Sequence, residues 1–375
     1  MNGFAGLRLT IVGPLPPPAG GMANQTRQLA ELLRAEGAQV QVVQTNAPYR
    51  PAWIGRVPVV RAGFRLLPYL RRLWVVAGRS RIFHVMANSG WSWHLFAAPA
   101  IAIARMRSVP VLVNYRGGEA EPFLARSYRI VRLTLSRAAV VAVPSGFLHE
   151  VFARFGVATV IVPNIVDLAR FSPRPEGSGA GGGAHLVVTR NLEPIYDNAT
   201  AIRALARVRR QRPDARLTIA GTGPELAPLQ ALARELGLAE AVSFAGRLER
   251  DAIAALYRDA DVALNPSTVD NMPNSVLEAL ASGVPVVSTD VGGVRHIARD
   301  GVSALLVPPR DPQAMAAAVL RLLGDADEAQ RLAVAGLERV REFGWPRVAS
   351  TLAAAYAQAE RHFTTSAQRA PKCDA

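Results

Sequence analysis

The chain alternates short apolar segments with longer amphipathic ones, a pattern that predicts strands and helices in turn. The clearest example has an apolar segment at 262–264, a polar loop, an amphipathic helix from about 273 to 282 and a second apolar segment at 284–287. Strands that alternate with helices form parallel sheets, since each helix carries the chain back along the sheet. This stretch therefore predicts half of a doubly wound α/β domain, with Pro273 suited to the first turn of its helix.

A similar unit opens the chain. An apolar strand at 7–12 is followed by a loop rich in glycine and proline, a helix and a second strand at 40–43. Gly20 and Gly21 stand where that helix begins, and glycine lets a backbone approach a phosphate closely at a helix N-terminus. A plain turn would use two glycines as well, so this loop alone leaves a phosphate site and a structural turn both open.

Charge is distributed unevenly along the sequence. The net charge is +14, and no aspartate or glutamate occurs between residues 37 and 118. A region of one sign attracts anionic partners. Within it, residues 56–81 are amphipathic and rich in arginine, and we expect Pro68 to divide them into two short helices. Two interpretations stay open: a basic amphipathic segment on an anionic membrane, or a surface helix whose apolar face packs on the domain core.

Composition argues against several other classes of protein. Half of the residues are hydrophobic and 19% are charged, which indicates a globular chain. Cys373 is the single cysteine, and the longest apolar run, 95–104, is too short to span a membrane. We therefore expect a cytoplasmic protein. Any binding to a membrane would be peripheral, at the inner membrane face. Nucleic-acid binding is disfavoured, because the second domain is poor in charge and carries no RNA-binding motif.

The segment that begins at residue 261 also carries a motif. Seven residues separate Asp270 from Glu278, and Ala-Leu-Ala-Ser-Gly-Val-Pro-Val-Val and then a Gly-Gly pair follow. This order resembles the signature of glycosyltransferase family 4, whose members are retaining enzymes of the GT-B fold. The resemblance implies an α/β protein with two Rossmann-like, doubly wound parallel-sheet domains that face each other across a cleft.

The resemblance implies a domain organisation too. We expect an N-terminal, acceptor-side domain at 1–166 and a C-terminal, nucleotide-sugar-binding domain at 167–345. A helix at 346–363 would return to the first domain, as it does in GT-B chains. Composition adds a flexible linker at 174–184, which is rich in glycine and serine, and a disordered tail at 364–375.

Residue roles follow from the same match. Asp270 would bind sugar hydroxyls near the reacting carbon, and Glu278 would bind the ribose hydroxyls of the nucleotide. Arg190 matches a family arginine that neutralises the donor diphosphate, and Gly20 and Gly21 would lie against that diphosphate. The remaining expected contacts with the nucleotide-sugar are Gly221, Gly246, Arg247, Asn274 and Ser275.

Two positions depart from the family pattern. The family pairs its arginine with a lysine, but Tyr196 or Asp197 stands at that place, and the only lysine in the chain is Lys372. Arg116 replaces a family histidine; an arginine can hold an oxyanion but cannot exchange a proton near neutrality. Three explanations follow: Arg116 compensates, the helix N-terminus at Asn198 compensates in part, or the protein is a weak or inactive relative. We favour compensation.

Three further side chains have open roles. His84 falls near a family histidine, although a histidine at a strand end is more often structural than catalytic. Glu119 and Glu121 are the first acids after the basic region. They would either contact acceptor hydroxyls or pair with arginines.

The predicted reaction is transfer of a sugar from a nucleotide-sugar to an acceptor hydroxyl with retention at the anomeric carbon. Asp270, Arg190 and Arg116 are the expected catalytic residues, and the acceptor would be a saccharide or a lipid-linked one in envelope polysaccharide or glycolipid synthesis. We expect no cofactor and no metal, because acids and histidines are not grouped at ligand spacing. The alternatives are a non-catalytic nucleotide-sugar-binding relative and another GT-B enzyme such as a sugar-nucleotide epimerase.

Overall fold

The computed structural model of the protein describes residues 3–17, 20–48, 58–175 and 183–369, with the backbone alone at 58–63 and 366–369. The chain divides into two compact units, Met1–Ile165 with Trp345–Ala375, and Val166–Gly344. Each unit contains a six-stranded sheet whose described pairings are all parallel. This confirms the predicted α/β class. Most of the predicted linker, residues 176–182, lies outside the described residues.

The first unit has the strand order β2-β1-β3-β4-β5-β6. Numbered in chain order through the whole protein, its strands are β1 (Arg8–Gly13), β2 (Gln39–Gln44), β3 (Ile82–Ala87), β4 (Val111–Tyr115), β5 (Val140–Val143) and β6 (Val160–Ile161). Its helices are α1 (Gly21–Ala35), α2 (Pro58–Ala77), α3 (Ala98–Met106), α4 (Ala120–Leu135), α5 (Gly146–Arg154) and, from the end of the chain, α12 (Trp345–Arg369). A five-residue π-helix, Trp93–Ala97, precedes α3.

The second unit has the strand order β12-β11-β10-β7-β8-β9. Its strands are β7 (His185–Val188), β8 (Arg216–Ala220), β9 (Val242–Gly246), β10 (Val262–Asn265), β11 (Val286–Thr289) and β12 (Leu305–Val307). Its helices are α6 (Asn198–Val208), α7 (Leu226–Glu235), α8 (Arg250–Arg258), α9 (Asn274–Ala281), α10 (Pro312–Gly324) and α11 (Ala326–Val340). Asp311 caps α10 through hydrogen bonds from two backbone N–H groups, as its sequence position predicts.

Both sheets reverse their winding direction at one place. The first reverses between β1 and β3, and the second between β7 and β10. Loops that leave the carboxyl ends of two such strands diverge, which opens a crevice where open α/β sheets bind ligands. The fold therefore points to the loops after β7 and β10 as the place to look for a site in the second unit.

The arginine-rich region forms one helix, so the prediction of two short helices is wrong. The helix α2 continues through Pro68, which is exposed. On the opposite side, Tyr69, Leu73 and Val76 are buried in the core of the first unit, and the Tyr69 hydroxyl donates a hydrogen bond to the carbonyl of Phe96 at 2.7 Å. Packing along this face outweighs the roughly 3 kcal/mol that a helical proline costs.

The last helix belongs to the first unit and is longer than predicted. It continues to Arg369, so the prediction of a disordered tail is wrong for residues 364–369, and 370–375 lie outside the described residues. The Phe4 and Trp345 rings stack with centroids 5.9 Å apart, and the Tyr356 hydroxyl lies 2.8 Å from Nδ1 of His84. Further along the helix, the guanidinium carbon of Arg105 lies 4.9 Å from the centroid of the Phe363 ring. These contacts attach α12 to the first unit from Trp345 to Phe363.

Replacing Leu352 tests whether α12 is part of that core. Leu352 is 1% exposed among the apolar residues of the first unit. We expect Leu352→Ala to lower the free energy of unfolding by about 2–5 kcal/mol, because it removes buried methyl groups and leaves a cavity. Denaturant unfolding measures the loss. Ser350→Ala, an exposed change on the same helix, is the control, and equal losses in the two variants would contradict the packing described.

Candidate active site

An ion pair occupies the reversal point of the second sheet. Arg190 follows β7 and Asp270 follows β10, and these two strands are neighbours. Nη2 of Arg190 lies 2.7 Å from Oδ2 of Asp270, and the two side chains are only 11% and 10% exposed. Burial raises the pKa of Asp270, while the adjacent Arg190 guanidinium and the Ser267 hydroxyl oppose that rise. The sequence prediction thus named two residues that the fold brings together.

Several neighbours fix the position of Arg190. Its guanidinium carbon lies 4.0 Å from the centroid of the Tyr196 ring, and Nη1 is 3.4 Å from the Ser275 hydroxyl. A side chain at Gly221 would overlap the carbonyl oxygen of Arg190, so glycine there lets the two loops pass closely. The Nε of Arg190 is buried and has no hydrogen-bond partner within the described residues. The Tyr196 ring, the Ser275 hydroxyl and the close passage of Gly221 thus hold the guanidinium in one position.

Backbone hydrogen bonds connect the loops that carry the pair. The Thr268 N–H donates to the carbonyl of Ile195 at 2.8 Å, which joins the loop after β10 to the loop after β7. The Gly293 N–H donates to the carbonyl of Asp270 at 2.9 Å. Backbone hydrogen bonds therefore fix the loops of the ion pair, in addition to the contact between the Arg190 and Asp270 side chains.

Glu278 projects from α9 as the second acid of the motif. Burial raises the pKa of its carboxyl to about 7, and the positive charges of Arg250 and Arg190 oppose the rise. Among the described side chains, none donates a hydrogen bond to this carboxylate. Arg250 is the first residue of α8, and its Nη2 lies 4.0 Å from Oδ2 of Asp167. Arg250 was not among the predicted site residues, because no sequence motif marks it.

The start of α9 adds polar groups beside the pair. Pro273 is the N-cap and not the first-turn residue that the sequence predicted, and no side chain caps the helix. Asn274 and Ser275 form the first turn, where backbone N–H groups have no partner within a helix. The Tyr257 hydroxyl donates to the carbonyl of Ser275 at 2.9 Å, which anchors this turn to α8.

Two other residues of this unit, both predicted to contact the nucleotide-sugar, do not contact the ion pair. Arg247 is 41% exposed and lies 3.4 Å from Glu249 in a surface ion pair. Gly246 has a φ of +65° at the end of β9, and a side chain there would meet no atom within 4 Å. Its glycine is explained by backbone conformation. The structure shows neither residue in contact with Arg190, Asp270 or Glu278.

The remaining predicted residues lie in the first unit. Gly20 is the extended N-cap of α1, and Gly21 begins that helix. Arg116 follows β4 and donates a hydrogen bond to the side chain of Asn164, and burial lowers the pKa of its guanidinium to about 10. His84 is fully buried between the Tyr356 hydroxyl and the Asn114 amide, and burial lowers its pKa to about 3. His84 is therefore a neutral core residue.

The place of the expected lysine is taken by an aromatic contact. Tyr196 packs against the Arg190 guanidinium, and Asp197 adopts a left-handed conformation, φ 41°, immediately before α6. Asp197 accepts a hydrogen bond from the Thr200 hydroxyl at 2.6 Å. Cation–π packing orients the one arginine present but adds no second positive charge.

Two units, each with a doubly wound parallel sheet, match the GT-B fold. In agreement, the crystal structure of Anabaena Alr3699/HepE in complex with UDP superposes with a TM-score of 0.73 at 17% identity. That match covers 94% of this chain and 100% of the other. At this identity the similarity establishes the fold.

Sequence comparison gives the family. A model described as glycosyl transferases group 1 matches residues 181–339, and one described as glycosyl transferase 4-like domain matches residues 20–165. The chain is 31% identical over 316 residues to a glycogen synthase of Mycobacterium tuberculosis, covering 81% of this chain and 74% of that protein. It is 29% identical to a phosphatidyl-myo-inositol mannosyltransferase of Mycobacterium leprae, covering 90% and 92%. The chain belongs to the group 1 glycosyltransferases of family 4, and nucleotide-sugar-dependent glycosyl transfer is the activity this supports.

The raised pKa of Glu278 predicts a pH dependence of stability. The usual value is 4.5 and the folded value about 7, so between these values the folded chain holds a proton that the unfolded chain has released. Stability then falls as pH rises through this window. We expect the free energy of unfolding of Glu278→Gln, relative to the unmodified chain, to increase by roughly 2 kcal/mol from about pH 5 to about pH 8.

Denaturant unfolding across that pH range measures the difference. Glu235→Gln, which removes an exposed carboxylate from the same unit, is the matched control. If the stability of Glu278→Gln relative to the unmodified chain does not change with pH, burial does not perturb this carboxyl as described.

Proposed function

We propose that the protein is a retaining glycosyltransferase that moves a sugar from a nucleotide-sugar to an acceptor hydroxyl. The ion pair of Arg190 and Asp270 carries the proposal, because a cation suited to a diphosphate lies beside a carboxylate suited to sugar hydroxyls. Glu278, on the next helix, would accept hydrogen bonds from the ribose hydroxyls. The UDP bound by the HepE structure and the mannosyltransferase relative both support a nucleotide-sugar donor.

In the proposed reaction the bond from the anomeric carbon to the donor diphosphate breaks, and a bond to the acceptor oxygen forms on the same face of the sugar. The acceptor proton passes to a diphosphate oxygen, so no protein base is required. Arg190 stabilises the negative charge that grows on the leaving diphosphate, and Asp270 orients the sugar hydroxyls. Arg116, which stays charged near neutrality, would bind an anionic group and transfer no proton.

The missing lysine is the main argument for the weakly active alternative. We favour compensation within the second unit, because α6 begins at Asn198 beside the loop of Arg190, and the N-terminus of a helix attracts negative charge. The side-chain Nδ2 of Asn198 donates to the carbonyl of Asn191 at 3.0 Å, which holds the start of α6 against the loop of Arg190.

Nucleotide binding is the first test of the proposal. We expect one of UDP, GDP, ADP and CMP to raise the melting temperature, since a ligand that binds only the folded state stabilises it. Arg190→Ala and Glu278→Ala should lose most of that shift, because they remove the diphosphate and ribose partners. Arg321→Ala, a surface arginine paired with Glu328, should keep the full shift.

Turnover separates an enzyme from a nucleotide-sugar-binding relative. The donor sugar linked to the stabilising nucleotide should be transferred with its anomeric configuration retained, which NMR of the product reports. We expect EDTA to leave the rate unchanged, because the proposed chemistry assigns no role to a metal. A nucleotide shift without transfer or donor hydrolysis would favour the non-catalytic alternative, and an inverted product would contradict retention.

We further propose that the enzyme acts at the inner membrane face on a lipid-linked or envelope saccharide acceptor. The exposed side of α2 presents Phe64, Leu67 and Val75, which are 52%, 71% and 50% exposed. Arg71 and Arg79 are exposed on or next to the same helix. Apolar and basic side chains on one exposed side suit a surface of anionic lipid. Of the described helices, none is both long enough and apolar enough to cross a bilayer.

Vesicle binding tests this second proposal. We expect the protein to sediment with phosphatidylglycerol vesicles at low salt and not with neutral phosphatidylcholine vesicles. Arg71→Gln with Arg79→Gln should weaken binding roughly tenfold or more, since each basic residue near an anionic surface contributes about 1 kcal/mol. Arg321→Gln with Arg331→Gln removes the same charge from the second unit and is the control. No binding at low salt would end the membrane proposal.

A further inference from the structure

A cavity of about 440 Å³ in the first unit is lined by none of the residues of the candidate active site. Its walls come from the segment after β3, with Ser89 and Trp91, and from the segment after β4, with Glu119 and Phe123. Small-molecule sites have volumes of about 300–1,000 Å³. Ligands of open α/β sheets bind beyond the carboxyl ends of the strands, which is where this cavity lies.

Aromatic side chains form much of the wall. The His94 ring stands edge-on between Trp91, at a centroid distance of 6.2 Å, and Phe123, at 5.9 Å. Trp91 is 77% exposed although it has the most apolar surface of any side chain to bury. Phe123 is buried, so the wall runs from the core to the surface. The wall therefore offers a flat ligand an apolar face on which to lie.

One residue of this aromatic wall lies in a segment with a rare backbone conformation. His94 lies in the π-helix Trp93–Ala97, at the point where the chain enters α3. Short π-helical turns are uncommon and occur frequently at functional sites. The buried Trp93 anchors this turn in the core, where its ring lies 6.3 Å from those of Tyr115 and Phe123. The core thus holds His94 and Trp91 at the cavity.

Hydrogen-bond acceptors and hydrogen-bond donors both lie at the rim of the cavity. Glu119 offers a carboxylate for which the described residues provide no hydrogen bond or ion pair, whereas Glu121, the other acid near it in sequence, pairs with Arg154 at 2.7 Å. Arg126, one turn of α4 beyond Phe123, adds donors. The Ser89 hydroxyl, at 2.7 Å from that of Tyr115, lies on the same lining. An acceptor, a set of donors and a hydroxyl around an apolar wall suit a ring whose edge carries hydroxyl groups.

From this arrangement we propose that the cavity binds a pyranose ring of the acceptor, which lies on Trp91 and donates hydroxyl hydrogen bonds to Glu119. The assignment rests on the proposed function, since it names the part of the first unit that selects the acceptor. It also decides between the two roles that the sequence left open for the acids: Glu121 is a surface ion-pair residue, and Glu119 is a binding residue.

Saturation-transfer NMR on the full chain tests the site with methyl α-glucopyranoside, methyl α-mannopyranoside and methyl α-galactopyranoside as probes. We expect transfer to the ring protons of at least one pyranoside and none to sorbitol, which has hydroxyls but no ring. Trp91→Ala should reduce the signal severalfold, Trp91→Phe should retain much of it, and Glu119→Gln should weaken it. Leu133→Ala, an exposed change on α4 away from the cavity, should bind like the unmodified chain.

The outcomes separate this site from the donor site, because the nucleotide melting shift is measured on the same samples. If a nucleotide stabilises the protein but no pyranoside binds, or if Trp91→Ala binds pyranosides unchanged, the cavity assignment is wrong and the proposed function stands. If pyranosides bind through Trp91 and no nucleotide shifts the melting temperature, the site is real and the proposed function fails. Binding of choline in place of any pyranoside would make the aromatic wall a cation site and overturn the assignment.

Discussion

The nearly buried ion pair of Arg190 and Asp270 is the interaction on which the candidate site depends. Removing two charges from water costs several kcal/mol for each ion, and only close pairing and further hydrogen bonds offset that cost. Here Tyr196 packs on the guanidinium, and the Gly293 N–H binds the carbonyl of Asp270. The surroundings thus fix two charged groups before a ligand arrives, which is the condition for efficient stabilisation of a developing charge.

The two units present different chemistry with the same kind of sheet. In the second unit the reversal between β7 and β10 brings charged groups together, and the half-buried Glu278 extends the site along α9. In the first unit the segments after β3 and β4 form an aromatic cavity with polar groups at its rim, while α2 exposes apolar and basic side chains. Diphosphate recognition calls for fixed charge, whereas a saccharide or lipid acceptor calls for apolar surface with a few polar contacts.

Much of this was predictable because local pattern decides it. Apolar strands between amphipathic helices gave the α/β class, and the Asp270 to Glu278 motif located the acids beside the reversal point. Other features depend on contacts distant in sequence. Packing of Tyr69 and Leu73 keeps α2 whole through Pro68. The electrostatic effect of Arg250 on Glu278, and the placement of Trp91 and Phe123 on one cavity, follow from topology and left no periodic signal. Tyr196 at the lysine position was the one visible hint of the aromatic contact with Arg190.

The most direct test of the central claim is a double-mutant cycle on Arg190 and Asp270, with kcat/KM for the nucleotide-sugar as the readout. If the pair acts as one unit, Asp270→Asn should matter much less once Arg190 is alanine, with a coupling of about 1 kcal/mol or more in transition-state free energy. Additive losses in the double variant would show that the two residues act independently. That result would contradict the claim that a preorganised ion pair builds this site.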